Sequence, residues 1–242
     1  MTMRDVMDDP RAMAAVKAAL TEDEGEGDAT TLALVDPAAR ATGEILAREA
    51  CRVAGGTVAS AVLACIDPEL RVAVVVPDGQ PVEPGGTILT IEGKAASILT
   101  AERTALNFMQ RMCGIATLTA RFVEAVQAHG TMILDTRKTT PNLRLFEKYA
   151  VTCGGGTNHR FGLYDRVLVK DNHRRLWQGG DPDRLDLAVA AVREAFPLLE
   201  VEIEVESVAE CQSALRGRPE WIMLDNMSCE MMRACVALCR GV

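Results

Sequence analysis

The sequence predicts an α/β chain in two parts, on three observations. The first hundred residues are a mixed, strand-rich stretch with short helical runs. A long helical pattern opens at Thr100. After Gly130, short β-rich runs alternate with helical patterns, and repeated βα units imply a parallel sheet covered by helices, either open or curled into a barrel.

In order, Ala12–Leu20 reads as a short helix, Thr42–Arg48 as a strand, and Thr57–Cys65 as an apolar helix entered from Gly55-Gly56. Leu70–Val76 is a strand stopped by Pro77-Asp78-Gly79, and Thr87–Ile91 is another between Pro84-Gly85-Gly86 and Gly93. Two such runs with a Pro/Gly turn between them predict a compact antiparallel element. From Thr100, Phe108, Met112, Ile115, Phe122 and Val126 recur at helical spacing, which predicts a core-facing stripe, and Gly114 weakens the run midway, which leaves one helix or two in series open. Arg103 falls near the expected start, where the backbone dipole favours anions. Beyond Gly130 the expected strands are Thr131–Thr136, Arg166–Lys170, Glu200–Glu206 and Trp221–Asp225. Helical patterns at Leu143–Val151, Leu185–Phe196, Ala209–Leu215 and Glu230–Leu238 lie between or after them.

Composition bounds the function. A chain of 242 residues with 48% hydrophobic and 25% charged residues can bury a real core. No apolar run approaches a bilayer span, and Met1–Pro10 is acidic, which argues against a membrane segment or a secretory leader. The eight cysteines show no C-x-x-C pair, and with three histidines they offer no zinc spacing, so reduced and mostly buried thiols of a cytoplasmic protein are expected. A net charge of −8 disfavours nucleic acid as the main partner.

Against that acidic background, Asp135–Arg174 carries eight Lys/Arg and four Asp/Glu, a net of +4, leaving −12 for the remainder. This cluster is suited to a small polyanion. Each late strand ends in polar residues: Asp135-Thr136-Arg137-Lys138, then Lys170-Asp171-Asn172-His173, then Glu202, Glu204 and Glu206 at period two, then Asp225-Asn226. In parallel α/β structures ligands sit at the carboxyl ends of strands, so these groups are expected to converge. Three alternating glutamates point to one face. That face is either solvated or, on a barrel strand covered on both sides, turned into the mouth opposite the cations. Gly154-Gly155-Gly156 is either a simple loop or a close approach of backbone to a ligand. His159-Arg160 adds a planar guanidinium suited to carboxylate or phosphate and an imidazole that supplies a further donor. The sequence has no nucleophile elbow, Walker loop or Gly-x-Gly-x-x-Gly after the first strand of the βα series. Cation clamps and carboxylates without a nucleophile suit transfer of an already activated group.

These motifs resemble the quinolinate phosphoribosyltransferase family, also called nicotinate-nucleotide pyrophosphorylase (carboxylating). The resemblance is carried by Glu22 and Asp28-Ala29-Thr30-Thr31, Glu102–Phe108, Cys113–Thr117, Asp135–Pro141, Glu147-Lys148-Tyr149-Ala150, Cys153–Gly162, Val169–His173 and Leu224-Asp225-Asn226. It implies an α+β N-terminal domain (residues 1–99) followed by a connecting helix and an incomplete, open α/β barrel (residues 100–242). It also implies phosphoribosyl transfer from phosphoribosyl pyrophosphate to quinolinate with decarboxylation. The products would be nicotinate mononucleotide, pyrophosphate and CO2, in NAD biosynthesis.

By the same resemblance Arg137, His159 and Arg160 clamp the dicarboxylate with Thr136, Lys138 and Lys170 beside them, and Arg103 is donated across a homodimer. Lys138, Lys170, Glu204 and Asp225 are the implied catalytic residues. Glu204 and Asp225 would hold the donor's ribose hydroxyls and Mg2+. Of the three glutamates, the resemblance alone singles out Glu204. A molybdenum-transport-associated pyrophosphorylase-like paralogue shares the outline, although Lys138-Thr139-Thr140-Pro141, Lys148-Tyr149-Ala150 and Lys170-Asp171-Asn172-His173 favour the quinolinate enzyme.

Family members continue past Asp225 with two more βα strands bearing the 5′-phosphate loops, whereas this sequence ends at Val242. The resemblance therefore implies four barrel strands, an exposed sheet edge and a donor site without its main phosphate cradle. A sequence cut short, a tail left out of it, and a naturally shortened paralogue are the three explanations. The last brings in a further reading, a non-catalytic quinolinate-binding dimer subunit.

Overall fold

The computed structural model describes residues 5–178 and 180–240, so Met1–Arg4 of the acidic start and the end at Val242 lie outside the described residues. The chain divides into two compact units, Met1–His159 and Arg160–Val242.

In the first unit, α1 (Pro10–Glu24) starts where Asp9 accepts a hydrogen bond from the Arg11 N–H, with Pro10 in the first turn. Ala12, Val16 and Leu20 on its inner face are buried. A second helix, α2 (Ala29–Leu34), was not anticipated; Asp28 caps it by accepting from the N–H groups of Thr30 and Thr31. There follow β1 (Arg40–Leu46), β2 (Cys51–Arg52), α3 (Gly56–Ile66), β3 (Arg71–Val74), β4 (Pro81–Val82) and β5 (Thr87–Lys94). Strands β1, β5 and β3 form an antiparallel sheet in that order, and β2 pairs with β4. The antiparallel element read from the two apolar runs is thus β3 on β5. The Pro77-Asp78-Gly79 turn between them also has a packing role. Asp78 accepts from the N–H groups of Gly55 and Gly56 and from the Tyr149 hydroxyl, each at 2.9 Å, tying the start of α3 to a later helix.

The long helix α4 (Ala95–Val126) runs unbroken through Gly114. The expected stripe holds in part, with Met112 buried and Phe108 and Ile115 packed against the core. Ala101, Ala105, Met109, Met112, Ala116 and Ala120 are buried, whereas Phe122 is 55% exposed. The small residues that widen this face towards α3 carry little hydrophobic periodicity of their own. The helix starts at Ala95, so Arg103 lies two turns beyond its N-terminus and cannot share an anion with the helix end. The final helix of this unit is α5 (Arg144–Cys153). The expected strand Thr131–Thr136 is reduced to a one-residue parallel bridge, Leu134 with Thr157. It is held by Thr157 N–H to the Ile133 carbonyl (2.8 Å) and Asp135 N–H to the Thr157 carbonyl (3.1 Å).

The triple glycine packs on α4. A Cβ on Gly154 would run into the Ala116 carbonyl and come within 2.6 Å of the Thr119 Cβ, and one on Gly156 would lie 2.7 Å from the Val151 Cγ1. Gly155 has φ +85°, which disfavours a side chain. The glycines seat the end of α5 on the long helix. Gly154→Ala is therefore expected to lower unfolding free energy by about 1–3 kcal/mol, the usual cost of overpacking, measured by urea denaturation. Stability equal to that of the unsubstituted protein would refute this packing role.

The second unit holds β6 (Val167–Val169), α6 (Asp171–Arg175), α7 (Leu185–Ala195), β7 (Val201–Val205), α8 (Val208–Gly217), β8 (Trp221–Leu224) and α9 (Cys229–Cys239). Its sheet is parallel, in the order β6-β7-β8, as the βα repeats predict. Val201, Ile203 and Val205 are fully buried on the face packed with Leu185, Val189, Cys211, Ala214 and Cys235. Alternation then turns Glu202 and Glu204 to the other face. Three of the four expected barrel strands form this sheet. Of the eight cysteines, all thiols, Cys113, Cys153, Cys211 and Cys235 are buried and Cys65, Cys229 and Cys239 are exposed, so fewer are enclosed than expected. Among the described residues no helix is long and apolar enough to cross a membrane.

Candidate active site

In the first unit the basic loop is held from below. Asp135 precedes Thr136, Arg137 and Lys138, and its carboxylate is buried against the Lys148 ammonium, the two side chains being 7% and 3% exposed. The Lys148 Nζ donates to Asp135 Oδ1 and, at 2.9 Å, to the His159 carbonyl. The His159 N–H donates to Asp135 Oδ1 at 2.8 Å. With its amide nitrogen turned inward, Asn158 donates to Asp135 Oδ2 at 2.6 Å and to the Lys148 carbonyl at 2.9 Å. Arg137 and His159 are thereby brought into one frame although they lie on separate segments.

Above that frame Thr136 and Lys138 are exposed and Arg137 is half-buried. The Lys138 N–H donates to the Thr136 hydroxyl at 3.0 Å, and the Thr139 N–H donates to the Arg137 carbonyl at 3.0 Å, so the loop curls on itself. Its far end is braced by Glu147, which accepts from the Thr140 N–H at 3.2 Å and from Arg111 Nε at 2.9 Å. Burial pushes the Glu147 carboxyl up, but the hydrogen bonds from Arg111 and Thr140 and the charge of Arg111 outweigh it. The pKa ends below the usual carboxylate range, and Glu147 stays ionised. Burial pushes the Cys153 thiol up to about 12, so it packs as a neutral thiol at pH 7 and is no nucleophile. Arg103 stands exposed on α4, and no contact among the described residues joins it to Arg137, Lys138 or His159.

In the second unit the register decides the arrangement. Val169 is opposite Ile203, which sets Lys170 beside Glu204, and Lys170 Nζ donates to both Glu204 carboxylate oxygens at 3.0 and 3.1 Å. Glu204 is opposite Met223, and the Asp225 N–H donates to the Val205 carbonyl at 2.9 Å. Asp225, two residues beyond Met223, therefore falls on the Glu204 face at the carboxyl end of the sheet. The Lys170 N–H donates to His173 Nδ1 at 3.0 Å, fixing the turn into α6. Glu206 lies past the strand and is exposed. Glu202 is buried at 4% exposure, with Arg166 Nη1 3.8 Å from its carboxylate. The three glutamates share a face but not an environment. Arg160 is buried, donates to the Arg166 carbonyl at 3.2 Å, and lines a cavity of 380 Å³ along β6 with Leu163, Val167, His173, Trp177 and Phe196.

The model of the quinolinate phosphoribosyl transferase C-terminal domain matches residues 115–241, and that of the N-terminal domain matches residues 28–113. The chain belongs to the quinolinate phosphoribosyl transferase family. Phosphoribosyl transferases of this kind are pentosyltransferases. The chain is 39% identical over 222 residues to a probable nicotinate-nucleotide pyrophosphorylase [carboxylating] of Synechocystis, covering 91% of this chain and 73% of that one. It is 41% identical over 219 residues to quinolinate phosphoribosyltransferase [decarboxylating] 1b of Nicotiana tabacum, covering 88% of this chain and 62% of the relative. Among solved structures, NadC from Streptococcus pyogenes superposes with a TM-score of 0.88 at 42% identity, over 94% of this chain and 79% of that one. The fold is therefore the family's, a mixed α+β N-terminal domain followed by an open α/β barrel domain.

Sequence reading missed what supports the site. Asp135 and Lys148 lie within the family-like motifs, which do not themselves show a role for them. The signal was available: Phe146–Ala150 is one buried run on α5, and a lysine inside such a run needs a buried anion. Arg111, which braces Thr140 through Glu147, carried no comparable mark because its partners are 29 and 36 residues away.

Proposed function

We propose that this chain transfers phosphoribose from phosphoribosyl pyrophosphate to quinolinate with loss of CO2, giving nicotinate mononucleotide and pyrophosphate for NAD biosynthesis. The observation that carries the reading is Lys170 gripping both oxygens of Glu204 at the carboxyl ends of a parallel sheet, with Asp225 on the same face. It is a charged pair built where α/β proteins bind anionic ligands.

The acceptor is assigned to Arg137 and His159, which take the two carboxylates with Thr136, Lys138 and Lys170 beside them. Arg160 joins that set by family resemblance. The donor's ribose hydroxyls and magnesium are assigned to Glu204 and Asp225. The pyridine nitrogen is the nucleophile, and its quaternised ring accepts the electrons freed when the neighbouring carboxylate leaves as CO2. The protein needs only to position and to stabilise charge. Lys138 and Lys170 supply positive charge for that purpose.

Two carboxylates at one sheet end fit a magnesium ion that arrives on the donor's phosphates, since Mg2+ is usually held by one or two carboxylates plus substrate oxygens and water. Among the described residues no three His, Cys, Asp or Glu side chains gather as a cage. Glu204 and Asp225 would hold the ion, which would neutralise charge on the departing pyrophosphate. The reading includes a cytoplasmic homodimer in which Arg103, exposed on α4, reaches the neighbouring subunit.

Carbon dioxide release from carboxyl-labelled quinolinate, with phosphoribosyl pyrophosphate and Mg2+, tests the reading. Stoichiometric CO2 and nicotinate mononucleotide are expected. Micromolar quinolinate binding without release would identify a binding subunit instead. Neither binding nor release would remove the reading and favour the molybdenum-associated paralogue.

A further inference from the structure

We infer that Asp135 and Lys148 form a positioning pair that sets the separation of Arg137 and His159, and so gives the site its preference for a dicarboxylate over a monocarboxylate. The inference rests on the proposed acceptor assignment and adds residues that the assignment does not contain. Neither side chain is available to a ligand, since they are 7% and 3% exposed. Their hydrogen bonds point to the two ligand-bearing segments. Asp135 is two residues before Arg137, and its backbone N–H is fixed to the Thr157 carbonyl at 3.1 Å. One carboxylate oxygen takes the His159 N–H at 2.8 Å, and the other takes Asn158. The same ammonium that neutralises Asp135 donates to the His159 carbonyl at 2.9 Å. Both the N–H and the carbonyl of His159 are therefore held by one ion pair, and that pair is anchored next to Arg137.

The chemistry explains the need. Only a single bridged residue pairs these segments, Leu134 with Thr157, so a sheet ladder does not fix their spacing. A buried ion pair whose hydrogen bonds reach both segments ties them together at the spacing those bonds set. A ligand bearing two adjacent carboxylates must meet both segments at once, whereas a monocarboxylate needs only one. Loosening the frame should penalise the first ligand and spare the second.

The experiment measures dissociation constants of quinolinate and nicotinate by calorimetry for the full chain and for Lys148→Met, with thermal melts in parallel. Quinolinate affinity is expected to fall at least tenfold, and nicotinate affinity to change less than threefold. Lys148→Arg, which keeps the charge, is expected to restore much of the discrimination. Asn158 is exposed, so Asn158→Ala keeps the test intact should Lys148→Met fail to fold, with an expected threefold loss of the same ratio. Equal weakening of both ligands, or no change in the ratio in a folded variant, overturns the positioning role and leaves the acceptor assignment standing. Failure of the unsubstituted chain to bind quinolinate overturns both.

Discussion

Arg137→Ala is expected to weaken quinolinate binding about a hundredfold or more, with melting behaviour unchanged to within a few degrees. Arg137 is half-buried at the end of a loop whose other contacts are made by its neighbours. Its carbonyl accepts from Thr139, Thr136 accepts from the Lys138 N–H, and Thr140 is braced by Glu147. Removing the guanidinium therefore leaves the loop's own hydrogen bonds in place. It leaves a ligand carboxylate without its planar, two-pronged donor. Losing one partner of a desolvated, hydrogen-bonded charge pair costs about 2–5 kcal/mol, roughly thirty- to several-thousandfold in affinity. Lys138→Ala supplies the contrast, because Lys138 is exposed and an exposed ion pair is worth about 0–1 kcal/mol. It should weaken binding less than tenfold and act mainly on turnover. Calorimetric titration of both variants decides the matter. Unchanged affinity in Arg137→Ala, or a larger loss in Lys138→Ala, would refute the clamp assignment.

Parts of this site are legible in the sequence and parts are not. The βα alternation after Gly130 was read from short β-branched runs, and the β7 and β8 runs carry their polar residues where the register puts them. Strand polarity and a period of two put the three glutamates on one face, whereas the parallel register that sets Glu204 beside Lys170 depends on a distant strand. Features decided by distant partners were not legible. Gly154 looked like loop or ligand contact, but its reason is the Ala116 carbonyl and Thr119 on α4. The bulky stripe on α4 suggested Phe122 as core, whereas the closely packed face is the one lined by alanine. Local residue type cannot report such choices, because close helix contact selects small side chains whose periodicity is weak in hydrophobicity. Likewise Thr131–Thr136 has strand composition but pairs over a single residue, and the work of ordering it passes to Asp135 and Lys148. The polar ends of elements were readable, and the contacts that fix them were not.

The same logic makes Glu204→Gln the sharper test of the donor assignment. The Glu204 side chain is 14% exposed, and both its oxygens face one ammonium at 3.0 and 3.1 Å. Glutamine keeps the size and one acceptor, but its NH2 turns a donor towards Lys170 and the negative charge is gone. Two effects follow together. The lysine loses the partner that fixes its position, and any ribose hydroxyl or magnesium ion held by the carboxylate loses its anion. Removing one preorganised electrostatic group from a site of this kind costs about 10²–10³ in kcat, and that loss is expected here. The concentration of Mg2+ giving half-maximal rate should also rise, which a purely structural change would not cause. Asp225→Asn, at the end of the adjacent strand on the same face, should shift the Mg2+ dependence in the same direction. Quinolinate affinity should fall less than kcat in both variants, because among the described residues Arg137 and His159 make no contact with Glu204 or Asp225 that the substitutions would remove. Retained kcat in Glu204→Gln would sink the donor assignment. A fall in quinolinate affinity matching the fall in kcat would move Glu204 to acceptor binding, and would make the orientation of Lys170, not charge at the donor, the purpose of the pair.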